Sequence, residues 1–194
     1  MVSQPVPDRT RMSVQEYFEL ERSNPDRRYE YIDGQVYLMA GGTFNHSTVS
    51  INIVSLLKRL LRGGPCRAYN SDIKVKVSAT RYVYPDVSVS CHPGDRGTGD
   101  MMEYPKLVVE VLSPSTQGYD RWHKSLLYYE VPTIEEIVLV DAERQLLAVH
   151  RRGQNHFWTI HVFRQGETVR LASLDLSIPI ETLYEDVEFP PDGE

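Results

Sequence analysis

No run of apolar residues in this sequence approaches the ~18 that a membrane-spanning helix needs, so a chain crossing a bilayer on helices is excluded. Cysteine is scarce: only Cys66 and Cys91, with no Cys-x-x-Cys pair to suggest a zinc or redox motif. A Walker-type glycine loop and a Gly-x-Ser-x-Gly elbow are also absent, which removes two common routes to nucleotide and acyl-transfer chemistry. His150, His156 and His161 fall at irregular spacing, unlike a usual zinc pattern, and read as structural. There is no internal repeat and no low-complexity tract. The opening MVSQPVPDRTRMS lacks the apolar stretch of a signal peptide. Together with the two cysteines, this leads us to expect a cytoplasmic protein with free thiols and no membrane partner.

What is present suits an ordinary globular protein: 194 residues, 41% hydrophobic and 25% charged. The length fits a flexible arm over residues 1–12 and a single domain over 13–194. The net charge of −6 is unevenly spread. Residues 181–194 hold six acids and no bases, an acidic C-terminal tail. Between Lys58 and Lys76 stand six bases and one acid, Asp72. Such a tract is either a solvated face or a surface for a polyanion.

Local signals give the elements. Ser13 with Glu16 three residues on is a capping box, opening a helix to about Arg22. Arg28–Ile32 and Gln35–Met39 flank Asp33-Gly34, a type I′ hairpin signal. Val49, Ile53, Leu56, Leu57 and Leu60 recur at helical spacing from His46 to Leu61, with Asn45 or Thr43 as cap and Gly63-Gly64-Pro65 as stop. Period-two runs follow over Ile73–Val77 and Val83–Val89, then an exposed loop over residues 92–104. Leu107–Leu112 is almost wholly apolar and reads as a central strand buried on both faces. A helix over Tyr119–Val131 presents Trp122, Leu126 and Tyr129 as its apolar face. Strands follow at Glu136–Val140, Gln145–His150, Trp158–Phe163 and Val169–Leu171. The order predicts an α/β or α+β domain with a mixed central sheet flanked by helices and additional strands at the C-terminus.

Two acids stand in strand-like segments. Glu110 lies inside the apolar LVVEVL run, where an uncompensated carboxylate costs several kcal/mol in desolvation. Its partner is either an internal Arg or Lys, or a second acid with which it shares a cation. Asp86, in YPDVSV, is either a polar residue on a wet face or that second acid. Two carboxylates from neighbouring strands make a hard-oxygen site suited to Mg²⁺. Lys124 either pairs with Asp120 on its own helix, for roughly 0.2–0.5 kcal/mol, or points back to the strand ends. There it could hold a nucleophilic water or neutralise a phosphate. His46 reads as a core histidine, and Glu30, beside Arg27 and Arg28, as half of a surface ion pair.

The ordered set resembles a known family. It comprises Tyr29-Glu30-Tyr31-Ile32-Asp33-Gly34, His46 opening a helix, Pro85-Asp86-Val87-Ser88-Val89, Val109-Glu110-Val111-Leu112-Ser113-Pro114-Ser115-Thr116, and Asp120 with Lys124 before Tyr128. It is similar, from about Ser13 to Arg151, to the Uma-type restriction endonuclease family of the PD-(D/E)XK nuclease superfamily. The resemblance implies a restriction-endonuclease-like core and a Mg²⁺-dependent nuclease acting on DNA, with Mn²⁺ as a substitute ion. Asp86 then matches the motif's Asp, Glu110 its second acid, and the metal is held by Asp86, Glu110 and the Val111 carbonyl. Leu112 stands where the superfamily pattern has Lys, so Lys124 takes that role. Glu30 would hold a second metal or orient a water, and His46 would assist at the phosphate. Double-strand cleavage would call for a homodimer. The alternative is a module that keeps the nuclease fold for DNA binding or protein interaction without turnover. A sugar hydrolase using the acid pair lacks aromatics close in sequence to both acids.

Overall fold

In a computed structural model of the chain, residues 4–5, 11–39, 41–112 and 119–189 are described, without the side chains of 4–5, 119–123 and 156. Most of the arm expected over 1–12, the Ser113–Thr116 turn and the end of the acidic tail lie outside them. The first half of the chain runs β1 (Gln4–Pro5), α1 (Val14–Ser23), β2 (Tyr29–Ile32), β3 (Gln35–Leu38), α2 (Phe44–Leu60), β4 (Arg67–Asn70), β5 (Lys74–Ser78), β6 (Arg81–Val83) and β7 (Val87–Ser90). The second half runs β8 (Met101–Met102), β9 (Pro105–Leu112), α3 (Tyr119–Tyr129), β10 (Glu136–Asp141), β11 (Leu146–Arg152), β12 (Trp158–Arg164), β13 (Thr168–Leu171) and β14 (Leu176–Pro179).

The strands do not share one sheet. Six form an outer sheet in the order β1-β3-β2-β6-β5-β8, six a central sheet in the order β12-β11-β10-β9-β7-β4, and β13-β14 a C-terminal pair. The central sheet is mixed: β9 runs parallel to β10 and antiparallel to β7. The apolar run reads correctly as the middle of that sheet, because both faces of β9 are covered. Leu107, Val109 and Val111 join the core on the α2 side with Val49, Ile53 and Leu57. Val108 and Leu112 join a second core with Val75, Leu127 and Tyr128. Each such side chain contributes roughly 1.5–3 kcal/mol on burial. The outer sheet buries a separate tyrosine layer, Tyr17, Tyr29, Tyr31 and Tyr82, against α1.

Local signals hold where capping and turn chemistry are decisive. Ser13 and Glu16 form the reciprocal capping box of α1. Asp33 (φ 49°) and Gly34 (φ 96°) supply the positive φ values of the hairpin turn. Thr43, one of the two expected caps, opens α2, its hydroxyl accepting from the His46 N–H at 3.2 Å.

Three expectations need correction. The exposed face of α3 carries Leu126, while Lys124, Leu127, Tyr128 and Val131 line the inward stripe. Of the expected face, Leu126 is exposed and Tyr129 half-buried against the second core, so an aliphatic and aromatic count missed the stripe that packs a cation inward; the side chain of Trp122 is outside the described residues. Residues 92–104 are not simply an exposed loop. Asp95 is buried and accepts from the Glu103 and Tyr104 N–H groups and from Ser90 Oγ, while Met101–Met102 pair with β5. Cys66 and Cys91 are not free but form a disulfide. The β4–β7 register sets Arg67 opposite Ser90, so one residue further the two cysteines face each other across the pair. The acidic stretch opens with a 3₁₀ turn, Ile180–Tyr184, whose Ile180, Leu183 and Tyr184 are buried.

Candidate functional site

The register that pairs Val87 with Val109 places Asp86 opposite Glu110, one step past the end of β7. There the missing strand leaves the Val111 N–H without a backbone partner from β7, and Asp86 Oδ2 accepts it at 2.7 Å. The acid thus closes the sheet where the ladder stops. Its other oxygen lies 3.2 Å from Nε2 of His46, which α2 brings in from the opposite layer. That contact is not aligned as a hydrogen bond, so the buried Nε2 has no hydrogen-bond partner among the described residues.

Glu110 projects from the face of β9 that meets α3. Tyr128 donates its hydroxyl to Glu110 Oε1 at 2.5 Å, and Lys124, one helical turn earlier, lies 3.4 Å from the same carboxylate. Lys124 Nζ is also 2.8 Å from Glu30 Oε1, which in turn accepts from the Tyr84 N–H at 3.0 Å. Glu30 stands in β2 between Tyr29 and Tyr31. Their rings fill the tyrosine layer, so alternation turns Glu30 to the opposite face, toward the central sheet. It is 1% exposed, which overturns its reading as a surface ion pair.

Five residues from five elements or their ends therefore meet: Glu30, His46, Asp86, Glu110 and Lys124. Sequence reasoning missed Tyr128 as a hydrogen-bonding partner and missed Gly42. A Cβ on Gly42 would fall 2.6 Å from His46 Nδ1, so this glycine lets the chain pass against the imidazole. A Gly-Gly pair ending four residues before a helical His was the available signal.

Three carboxyl groups face one ammonium in a buried space, and their charges follow from it. Burial pushes the Glu110 carboxyl up to about 7, opposed by Lys124 and aided by Asp86 and Glu30. Burial works to raise Asp86 as well, but His46, the Val111 N–H and Lys124 outweigh it and hold Asp86 below its ordinary value. Burial would lower Lys124, yet Glu110 and Glu30 keep its ammonium charged above the usual range. Burial, then Glu110, raises Tyr128, so its hydroxyl remains a donor.

Among the described residues no three His, Cys, Asp or Glu side chains form a ready-made metal cage, because Lys124 stands between Glu30 and Glu110. The donor chemistry of the Asp86–Glu110 pair nonetheless fits a hard divalent cation: oxygen ligands, an excess of negative charge, and an imidazole whose Nε2 lacks a hydrogen-bond partner. The basic tract divides. Lys74 pairs with Glu21 and Lys76 with Glu103, whereas Lys58, Arg59, Arg62 and Arg67 are exposed at the far end of α2. His150 is buried with Nδ1 2.6 Å from the Tyr129 hydroxyl. No helix among the described residues is long and apolar enough to cross a membrane.

Known proteins resemble the chain along most of its length. An uncharacterized protein of Synechocystis, slr1290, is 37% identical over 180 residues, covering 92% of this chain and 94% of that one. A second from the same organism, sll1609, is 26% identical over 159 residues, 74% of this chain and 89% of the relative. In three dimensions the chain matches the crystal structure of a protein of Anabaena variabilis described as "a putative nuclease belonging to DUF820". The TM-score is 0.72 at 20% identity, over 90% of this chain and 98% of the other, which fixes the shared fold. A family model spans residues 14–181, from the capping box of α1 through the buried 3₁₀ turn, and takes in all five residues of the cluster; the chain belongs to the Uma2 family, whose description is "Putative restriction endonuclease".

Proposed function

We propose that the protein is a Mg²⁺-dependent endonuclease that hydrolyses DNA phosphodiester bonds, with Mn²⁺ able to substitute. The observation that carries this reading is the meeting of Asp86, just before β7, with Glu110 of β9 and Lys124 of α3 in one buried cluster. Asp86 and Glu110 would hold the ion. The Val111 carbonyl is the third donor: N–H and C=O of one strand residue face the same neighbour, and the Val111 N–H faces Asp86. Leu112 turns its carbonyl the other way, to the Ala142 N–H. Bound there, a divalent cation lowers the pKa of a coordinated water and stabilises charge on the transferring phosphoryl group.

The chain's own groups do the rest. Lys124 holds the attacking water or offsets charge at the phosphate, a role for a compact ammonium. Glu30 anchors Lys124, Tyr128 fixes the Glu110 carboxylate, and His46 steadies Asp86 while facing the phosphate. Cutting both strands would use two copies related by a two-fold axis.

The test is cleavage of supercoiled plasmid with Mg²⁺, Mn²⁺ or EDTA by the parent chain and by Asp86→Asn, Glu110→Gln and Lys124→Ala. The reading requires ion-dependent nicking that all three variants lose. Metal titration separates the roles: Asp86→Asn weakens ion binding, while Lys124→Ala leaves it largely intact. Cleavage by Asp86→Asn at the parental rate would refute the assignment.

A further inference from the structure

The charge along α2 is one-sided. Residues 34–71 contain no Asp or Glu, in a chain with 27 acids among 194 residues. Thirty-eight consecutive residues without an acid include the whole of α2, the turn after it and β4. The outward stripe of α2 follows helical spacing: Phe44, Ser47, Ile51, Ser55 and Lys58 are exposed, Phe44 at 94%. Its inward stripe begins with His46, which touches Asp86. At its N-terminal end α2 thus turns His46 inward to the acid cluster, and at its C-terminal end it exposes cations.

Those cations differ from most of the lysines and arginines elsewhere. Lys76, Arg81, Lys106, Arg151 and Arg170 each face a carboxylate within salt-bridge distance. Among the described residues, Lys58, Arg59, Arg62, Arg67 and Arg96 have none. Two of them are tied to the turn they crown: Arg67 Nη1 donates to the Gly64 and Cys66 carbonyls at 2.7 Å, and Arg96 Nη2 donates to the Pro65 carbonyl at 2.5 Å. Neutral carbonyls orient a guanidinium without cancelling its charge. The result is a fixed positive patch on a chain of net charge −6.

We infer that the outer face of α2 and the turn beyond it are a docking track for the phosphate backbone of duplex DNA, with Lys58, Arg59, Arg62, Arg67 and Arg96 as its far contacts. This rests on the nuclease reading for the position of the cut. Thirteen residues separate His46 from Arg59, about 20 Å along a helix. At 3.4 Å per base pair this corresponds to about six base pairs of flanking duplex. The stripe between the two ends carries Ser and Ile and no acid of its own, while the exposed Glu185 and Glu188 flank it, their carbonyls accepting from Asn52 and Asn45 of α2.

The test measures binding of a labelled 30-bp duplex and a 10-bp duplex in EDTA across a salt series, with the full chain. Neutralising all five cations to Gln should weaken 30-bp binding at least tenfold. It should also reduce the salt slope by up to about 4.5, since each phosphate contact contributes about 0.9. Binding of the 10-bp duplex should fall less. Lys106→Gln, whose ammonium already pairs with Glu135, should leave the slope unchanged. If the fivefold variant does not fold, Lys58→Gln and Arg62→Gln singly should each lower the slope by about 0.9. An unchanged slope in those variants, or a parent that does not bind duplex DNA, overturns the track. Parental Mg²⁺-dependent cleavage with an unchanged slope overturns the track alone. A lowered slope without any cleavage overturns the nuclease reading and leaves the track standing.

Discussion

Replacing Lys124 with Met should cost more than any surface ion pair in this protein. The substitution keeps the length and apolar stem of the side chain but removes the ammonium, which lies 2.8 Å from Glu30 and 3.4 Å from Glu110. Both carboxylates are left in a space where Glu30 is 1% and Glu110 8% exposed. Breaking a buried pair in this way costs about 3–5 kcal/mol. In a domain of this size 1 kcal/mol moves Tm by about 2–4 °C, so the metal-free variant should melt roughly 6–20 °C below the parent. Glu110, deprived of its largest charge-stabilising neighbour, should bind its proton still more tightly. Lys106→Met is the control, since its exposed partner Glu135 makes the pair worth about 1 kcal/mol or less. Adding Glu30→Gln to Lys124→Met should recover part of the loss, because one stranded charge is removed. Urea and thermal denaturation of the four proteins in EDTA measure the losses in free energy and in Tm. A Lys124→Met variant no less stable than Lys106→Met would refute the view that this ammonium holds the acids together.

The pH response follows from Glu110. Its folded value near 7 exceeds the ordinary 4.5, so the stability it contributes is complete below 4.5 and is lost as pH rises through 7. EDTA-treated protein should melt lower at pH 8 than at pH 5.5, and Glu110→Gln should flatten that difference. Asp86, held low, acts in the other direction only at more acidic pH. Gly42→Ala places a methyl group 2.6 Å from His46 Nδ1; the imidazole must move, and its NMR shifts should change while α2 keeps its helical signal. Cys66→Ser with Cys91→Ser opens a loop of 25 residues and should cost roughly 3–4 kcal/mol, read by urea denaturation against the oxidised parent.

The sequence determined whatever is settled within a few residues. The Ser13–Glu16 capping box, the Asp33-Gly34 turn and the Thr43 cap are local hydrogen bonds and φ preferences, independent of distant contacts. The uniform apolarity of β9 announced a strand covered on both sides, and Glu110 within it announced a compensated charge. The ordered motif set carried the family. Only the tertiary structure decided which groups compensate that charge. Asp86 meets Glu110 through a strand register, Glu30 arrives because alternation turns it away from the tyrosine layer, and Lys124 enters because α3 presents a polar-headed stripe inward. Apolar counting cannot rank a Lys–Leu–Tyr–Val stripe above a Trp–Leu–Tyr one, since the difference is a salt bridge to another element. For the same reason the disulfide was hidden: two cysteines 25 residues apart pair only once β4 and β7 adopt their register. The tract of bases likewise read as one surface, yet Glu21 and Glu103 neutralise Lys74 and Lys76 from other elements, leaving the charge on the turn beyond α2.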